Sequence, residues 1–150
     1  MNVDVSSEVV VHRPLQQVSG YATDPDNAPR WYTNIKSVEW KTPRPLRVGS
    51  QIAFVAHFLG RRMAYTYEIV DWIPGKHLVM RTTEGPFPME TTYTWAAVPN
   101  GSTRMTLRNR GSPAGFSRWI APFMALAVRR ANRKDLARLK ARLETGTKEP

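Results

Sequence analysis

Between residues 35 and 110 the chain alternates with period two in six runs: 35–41, 51–58, 63–72, 76–83, 89–97 and 102–110. Side chains two apart share one face of a strand, so each run offers a bulky face and a polar one. The separators "TPRPLRVGS", "LGR", "IPGK", "EGPFP" and "PNGS" are rich in Gly, Pro, Asn and Ser, the residues of tight turns. They are too short for the crossover of a dozen or more residues that a parallel pair needs. The six runs are therefore expected to form an antiparallel meander. The valine-rich stretch 3–11 adds a seventh strand.

Helical signals flank the meander. In "RPLQQVSGYA" Pro14 suits a first helical turn, and Leu15, Val18 and Tyr21 or Ala22 fall on one side. In "DPDNAPRWY" Asp24 is a candidate N-cap and Pro25 a first helical residue, with Pro29 expected to stop the helix within two turns. After "GSPAGF" a long helix is predicted over 116–144. Its apolar stripe, Ile120, Phe123, Met124, Ala127, Val128, Ala131, Leu136, Leu139 and Leu143, drifts around the axis. Such a helix is roughly 40 Å long and about 10–12 Å across, whereas seven strands span roughly 30 Å. One helix cannot cover that sheet laid flat, so the sheet must curl around it. The space between them is either filled by large side chains or hollow.

The inward parity of the strands selects Phe54 and Phe58; Met63, Tyr65 and Tyr67; Met80; Met89, Tyr93 and Trp95; Met105 and Leu107. Buried Tyr and Trp need polar partners and Met adapts its shape, so this set suits an apolar pocket or a packed core equally. A bulge would reverse the parity beyond it, and 51–58 and 63–72 are the runs most exposed to that reversal.

The chemistry that the sequence offers is sparse. There is no cysteine, hence no disulfide framework or thiolate site. His12, His57 and His77 are scattered without metal-ligand spacing, no serine sits in a nucleophile elbow, and the glycines form no phosphate loop. Neither a metal nor a cofactor is expected. Glu68 and Glu90 take the outward parity, while Asp71 and Glu84 sit at strand ends, all four reading as solvated surface acids. The N-terminus lacks the pattern of a signal peptide and no apolar run approaches the roughly 20 residues of a membrane span, so a cytoplasmic protein is expected. One domain over 1–145 and a loose tail over 146–150, within the closing "TGTKEP" that begins at Thr145, complete the organisation.

The formal net charge is +10, and residues 129–142 supply six of that surplus: Arg129, Arg130, Arg133, Lys134, Arg138, Lys140 and Arg142 against Asp135 alone. Such a run serves as a solvated helix face, or it meets nucleic acid, an anionic membrane or a partner protein. Interleaved Leu136, Leu139 and Leu143, and the lack of an aromatic stacking platform, favour the solvated face.

The order strand, two short helices, six antiparallel strands and a long C-terminal helix resembles the START-like helix-grip superfamily. The local wording "HRPLQQVSGYATDPDNAPRWY", "VGSQIAFVAHFLGRRMAYTYEIVDWIPGKHLVMRT", "GPFPMETTYTW" and "GSTRMTLRNRG" resembles its bacterial single-domain polyketide cyclase/dehydrase-like (SRPBCC-type) members over nearly the whole chain. The resemblance implies an α+β helix-grip fold, a seven-stranded antiparallel sheet curled around the C-terminal helix, with a cavity between them. By position, the entrance would lie near Trp31, Phe87 and Phe116. The walls would include Phe54, Phe58, Tyr65, Tyr67, Met89 and Tyr93, with Ile120, Phe123 and Met124 from the helix; parity adds Met80 and Met105. It implies binding of a hydrophobic, lipid- or polyketide-like molecule. The alternative is a cyclase or dehydratase that orients a poly-ketone without metal or covalent nucleophile, a role in which Tyr65, Tyr67, Tyr93 or the arginines Arg30 and Arg61 could take part.

Overall fold

The computed structural model describes residues 3–58, 60–112 and 121–145. The strands are β1 (Val3–Val11), β2 (Ile35–Trp40), β3 (Gln51–Phe58), β4 (Arg61–Ile73), β5 (His77–Glu84), β6 (Met89–Val98) and β7 (Ser102–Gly111). The helices are α1 (Leu15–Thr23), α2 (Ala28–Trp31) and α3 (Ala121–Thr145). All seven strands join in one antiparallel sheet of order β1-β7-β6-β5-β4-β3-β2, so the meander closes with the first strand against the last. The expected α+β helix-grip architecture is the one observed. No described helix is long and apolar enough to cross a membrane.

Two local expectations are revised. Asp24 caps a short 3-10 turn, Pro25–Asn27, its side chain accepting from the Asp26 amide at 3.0 Å. Pro29 does not stop this segment. It sits in the first turn of α2, where a missing N–H costs nothing. In β4 the pairing to β5 shifts between Ile69 and Asp71, leaving Val70 unpaired. This bulge turns Trp72 onto the inner face with Ile69, and Trp72 packs against the main core. Upstream of it the parity of Met63, Tyr65 and Tyr67 is as predicted.

The position of α3 decides where the sheet is filled. The helix runs along β1 and reaches β7 and α2. Leu136, Leu139 and Leu143 sit in one core cluster with Val11, Met105 and Leu107. Its last turns are pinned from the other side: Lys140 Nζ donates to the Val10 carbonyl at 2.8 Å and to Glu144 at 2.7 Å, and the His12 amide donates to Glu144 at 2.7 Å. The inner faces of β3 to β6 lie beyond that cover.

Candidate functional site

Two adjoining chambers occupy this unfilled part of the concave face. The outer one, about 110 Å³, is walled by Phe58, Met63 and Tyr65 from the sheet, Pro86 and Phe87 from the β5–β6 turn, and Met124 and Val128 from α3. The inner one, about 100 Å³, is walled by Phe54, Tyr67, Leu78, Met80 and Tyr93. Tyr32, Ile35, Tyr65, Met89 and Asn109 border both. Gly85 lets the turn close down on the wall, since a Cβ there would lie 2.9 Å from the Tyr65 Cβ. Each chamber is smaller than the roughly 150 Å³ apolar cavity that admits benzene.

The walls are aromatic but not dry. Tyr32 and Tyr93 share a hydrogen bond of 2.6 Å between their hydroxyls. Tyr67 bonds Thr91 at 3.0 Å, Thr91 donates to Asn109 Oδ1 at 2.7 Å, and Asn109 Nδ2 donates to Asn132 Oδ1 at 2.9 Å. Burial pushes the Tyr67 hydroxyl up to about 12 and raises Tyr32, Tyr65 and Tyr93 still more clearly. These phenols stay neutral at physiological pH and act as hydrogen-bonding groups rather than phenolates. On α3, Asp135 is buried, and its Oδ1 accepts from both the Thr33 amide at 2.9 Å and the Thr33 hydroxyl at 2.7 Å. Burial raises its pKa against the opposing pull of those two bonds.

Most of the residues expected around a cavity are brought together here. Phe58, Phe87 and Met124 line the outer chamber, Phe54, Tyr67, Met80 and Tyr93 the inner one, and Tyr65 and Met89 both. Three stand elsewhere. Trp31 is fully buried and stacks against Tyr32 and Tyr93, with ring centroids 4.1 and 5.8 Å away, so it lies beneath the site and not at an entrance. Met105 belongs to the packed core. Phe123 is 70 % exposed on the outer side of α3, because the stripe rotates that position away from the sheet. Phe116 and Ile120 lie outside the described residues.

Sequence reasoning passed over four polar members: Tyr32, Asn109, Asn132 and Asp135. A signal was present. Met124, Val128, Ala131 and Asp135 form one row at helical spacing, and Asn109 continues the inward set of Met105 and Leu107. A polar residue within an apolar row marks a buried hydrogen bond or a ligand contact. In sequence Asp135 reads as the lone acid among surface bases; its burial leaves Arg129, Arg130, Arg133 and Lys134 as a wholly basic exposed face. Glu90 does face outward as read, pairing with Arg81 at 2.8 Å and Arg110 at 3.2 Å.

Known proteins share this architecture. A protein from Thermus thermophilus superposes with a TM-score of 0.82 at 17% identity, covering 95% of this chain and 98% of its own. A START superfamily protein from Mycobacterium smegmatis gives 0.79 at 14% identity, covering 94% and 97%. An aromatase/cyclase from a Streptomyces species gives 0.78 at 17% identity, covering 94% and 93%. At such identities the likeness is one of fold. A comparison with curated proteins found no match. The family described as "Polyketide cyclase / dehydrase and lipid transport" matches residues 2–144. With the helix-grip sheet and the match along nearly its whole length, the chain belongs to the polyketide cyclase/dehydrase and lipid transport family.

Proposed function

We propose that the protein binds a neutral, hydrophobic small molecule between the sheet and α3, as a carrier or sequestering protein. The observation that carries this reading is the pair of adjoining aromatic-walled chambers on the part of the sheet that α3 does not fill. Apolar walls with a few convergent polar groups are the usual form of a small-molecule site. Native and denaturing mass spectrometry of the purified protein, with a thermal-shift panel of neutral one- and two-ring compounds, tests it. A co-purified species, or a concentration-dependent rise in Tm that vanishes in Met124→Trp, is the expected result. No bound species and no shift with any compound would sink the reading.

A second reading, turnover of an aromatic or polyketide-type substrate in the same chambers, is favoured by Asp135. A buried carboxyl with a raised pKa beside neutral tyrosines is suited to proton transfer. Product formation from a poly-ketone substrate that Asp135→Asn abolishes, with binding retained, separates turnover from carriage. A third, contact of the basic helix face with an anionic lipid surface, is favoured by Phe123 and Leu126, 70 % and 66 % exposed beside Arg129, Arg130, Arg133 and Lys134. Co-sedimentation with vesicles containing phosphatidylglycerol, weakened by salt and by neutralising Arg129, Arg130 and Arg133, checks it.

A further inference from the structure

The hydrogen bonds along the cavity wall run in one direction. Thr91 spends its hydrogen on Asn109 Oδ1 at 2.7 Å, so the Tyr67 hydroxyl is the donor in the 3.0 Å bond between Tyr67 and Thr91. Asn109 in turn donates through Nδ2 to Asn132 Oδ1 at 2.9 Å. The relay therefore passes from Tyr67 through Thr91 and Asn109 and ends on the amide of Asn132. That residue is 3 % exposed, and its Nδ2 has no partner among the described residues. Trp31, Trp72 and Trp95 also carry an unpartnered buried Nε1, but none of them borders either chamber, whereas Asn132 lines the outer one.

One turn further along α3 stands the complementary group. Asp135, also 3 % exposed, lines the same chamber. Both Thr33 bonds to its carboxyl fall on Oδ1. An unspent donor and a carboxyl whose two bonds both fall on one oxygen thus lie one helical turn apart on one wall. The Asn132 amide is a buried polar group that gains from a partner it does not have among the described residues.

Resting on the reading that the chambers hold a hydrophobic ligand, we propose that Asn132 and Asp135 select ligands that carry a phenol-type hydroxyl on a single ring. A hydroxyl meets both needs at once, accepting from Asn132 Nδ2 and donating to Asp135 Oδ2. A ketone or ether answers only Asn132. A carboxylate is repelled by Asp135, and an unsubstituted hydrocarbon leaves both groups unmet. The outer chamber alone is smaller than a benzene cavity, so a ring against Phe58, Tyr65 and Phe87 would extend into the adjoining chamber, and the two together set the rest of the ligand at about one aromatic ring. The chamber is also roomy enough for ordered water, which could meet the same two groups, so water is the rival occupant.

Four probes of matched shape decide the matter by calorimetric titration: 4-ethylphenol, 4-ethyltoluene, 4-ethylanisole and 4-ethylbenzoate. The wild-type protein is expected to bind 4-ethylphenol about 10-fold more tightly than 4-ethyltoluene, and 4-ethylbenzoate least of all. Asn132→Leu, nearly isosteric, should bring the first ratio close to one. Asp135→Asn keeps an oxygen for Thr33 but offers a donor where Oδ2 stood, and should move the preference from 4-ethylphenol to 4-ethylanisole. The wild-type ratio stands as a test even if a variant fails to fold. Equal binding of 4-ethylphenol and 4-ethyltoluene would overturn the hydroxyl selection, with water serving the two groups, while leaving hydrophobic binding intact. A ratio that survives in folded Asn132→Leu would overturn the assignment to Asn132. Failure of every probe to bind would overturn the underlying binding reading as well.

Discussion

The two halves of the sheet share one alternation of residues and differ in what lies against them. On the β1–β7 half, α3 lies close and the space is filled: Val5, Val11, Met105, Leu107 and Leu139 are all 0 % exposed. On the β3–β6 half the inner face carries Phe54, Tyr65, Tyr67, Tyr93 and Met89, and two chambers remain between them. The filled half is mostly aliphatic and has few polar demands. The hollow half is rich in tyrosine, with the Tyr93 hydroxyl bonded to Tyr32 and the Tyr67 hydroxyl to Thr91. Both halves are apolar enough to be core. What leaves one of them hollow is the reach of the covering helix, which is about a third as wide as the sheet.

The sharpest way to break this contrast is to remove volume from the filled side. Leu139→Ala should cost about 2–5 kcal/mol in urea denaturation, since a closely packed leucine leaves a cavity that its neighbours cannot close. A cost under ~1 kcal/mol would mean that α3 is not tightly seated. Adding volume tests the opposite property. Val11→Phe in the filled half should destabilise by about 1–3 kcal/mol through overpacking. Ala56→Leu, at the border of the outer chamber, should cost less than ~1 kcal/mol and abolish binding of single-ring probes. Equal penalties for the two would erase the distinction between the halves.

The smallest effect concerns acids on the two sides of the protein surface. Asp4 is held below the usual carboxylate range by its bond to Arg108, and Asp26 by its bond to Arg44. Any stability from these exposed pairs is present above the unfolded pKa and is lost as pH falls through the folded one. Asp135 has the reverse sign. Its raised folded pKa means that the native state holds the proton more tightly than the unfolded chain does. Stability from Asp135 should therefore fall as pH rises above 3.8, its ordinary value, and level off once it is ionised in the native state. Stability measured by urea melts across mildly acidic pH should show this decline, and Asp135→Asn should remove it. An unchanged profile in the variant would place the carboxyl in water.

Much of this was legible without coordinates, and the reasons are local. Strand runs announce themselves through period-two alternation, and "IPGK" or "PNGS" between two such runs closes a hairpin whatever the rest of the chain does. The wall from Met89 to Tyr93 was readable for that reason. Trp31 and Phe123 were misplaced because an aromatic residue beside a predicted cavity looks the same whether it lies under it, lines it or faces away. Asp135 was misread because seven bases surround it in sequence, while in space it faces the tyrosines.

By itself, then, the sequence determined the order and type of the elements, the antiparallel pairing and the existence of a sheet too wide for its helix. These follow from periodicity, turn chemistry and the dimensions of strands and helices. Tertiary structure alone decided that α3 leans on β1, that the Val70 bulge turns Trp72 inward, and that Asn132 and Asp135 meet the chamber, Asn132 with an unspent donor. Those outcomes depend on the rotation of one helix about its axis and on a single unpaired residue. Neither leaves a repeating trace in the sequence, because each is set by packing contacts between segments distant along the chain.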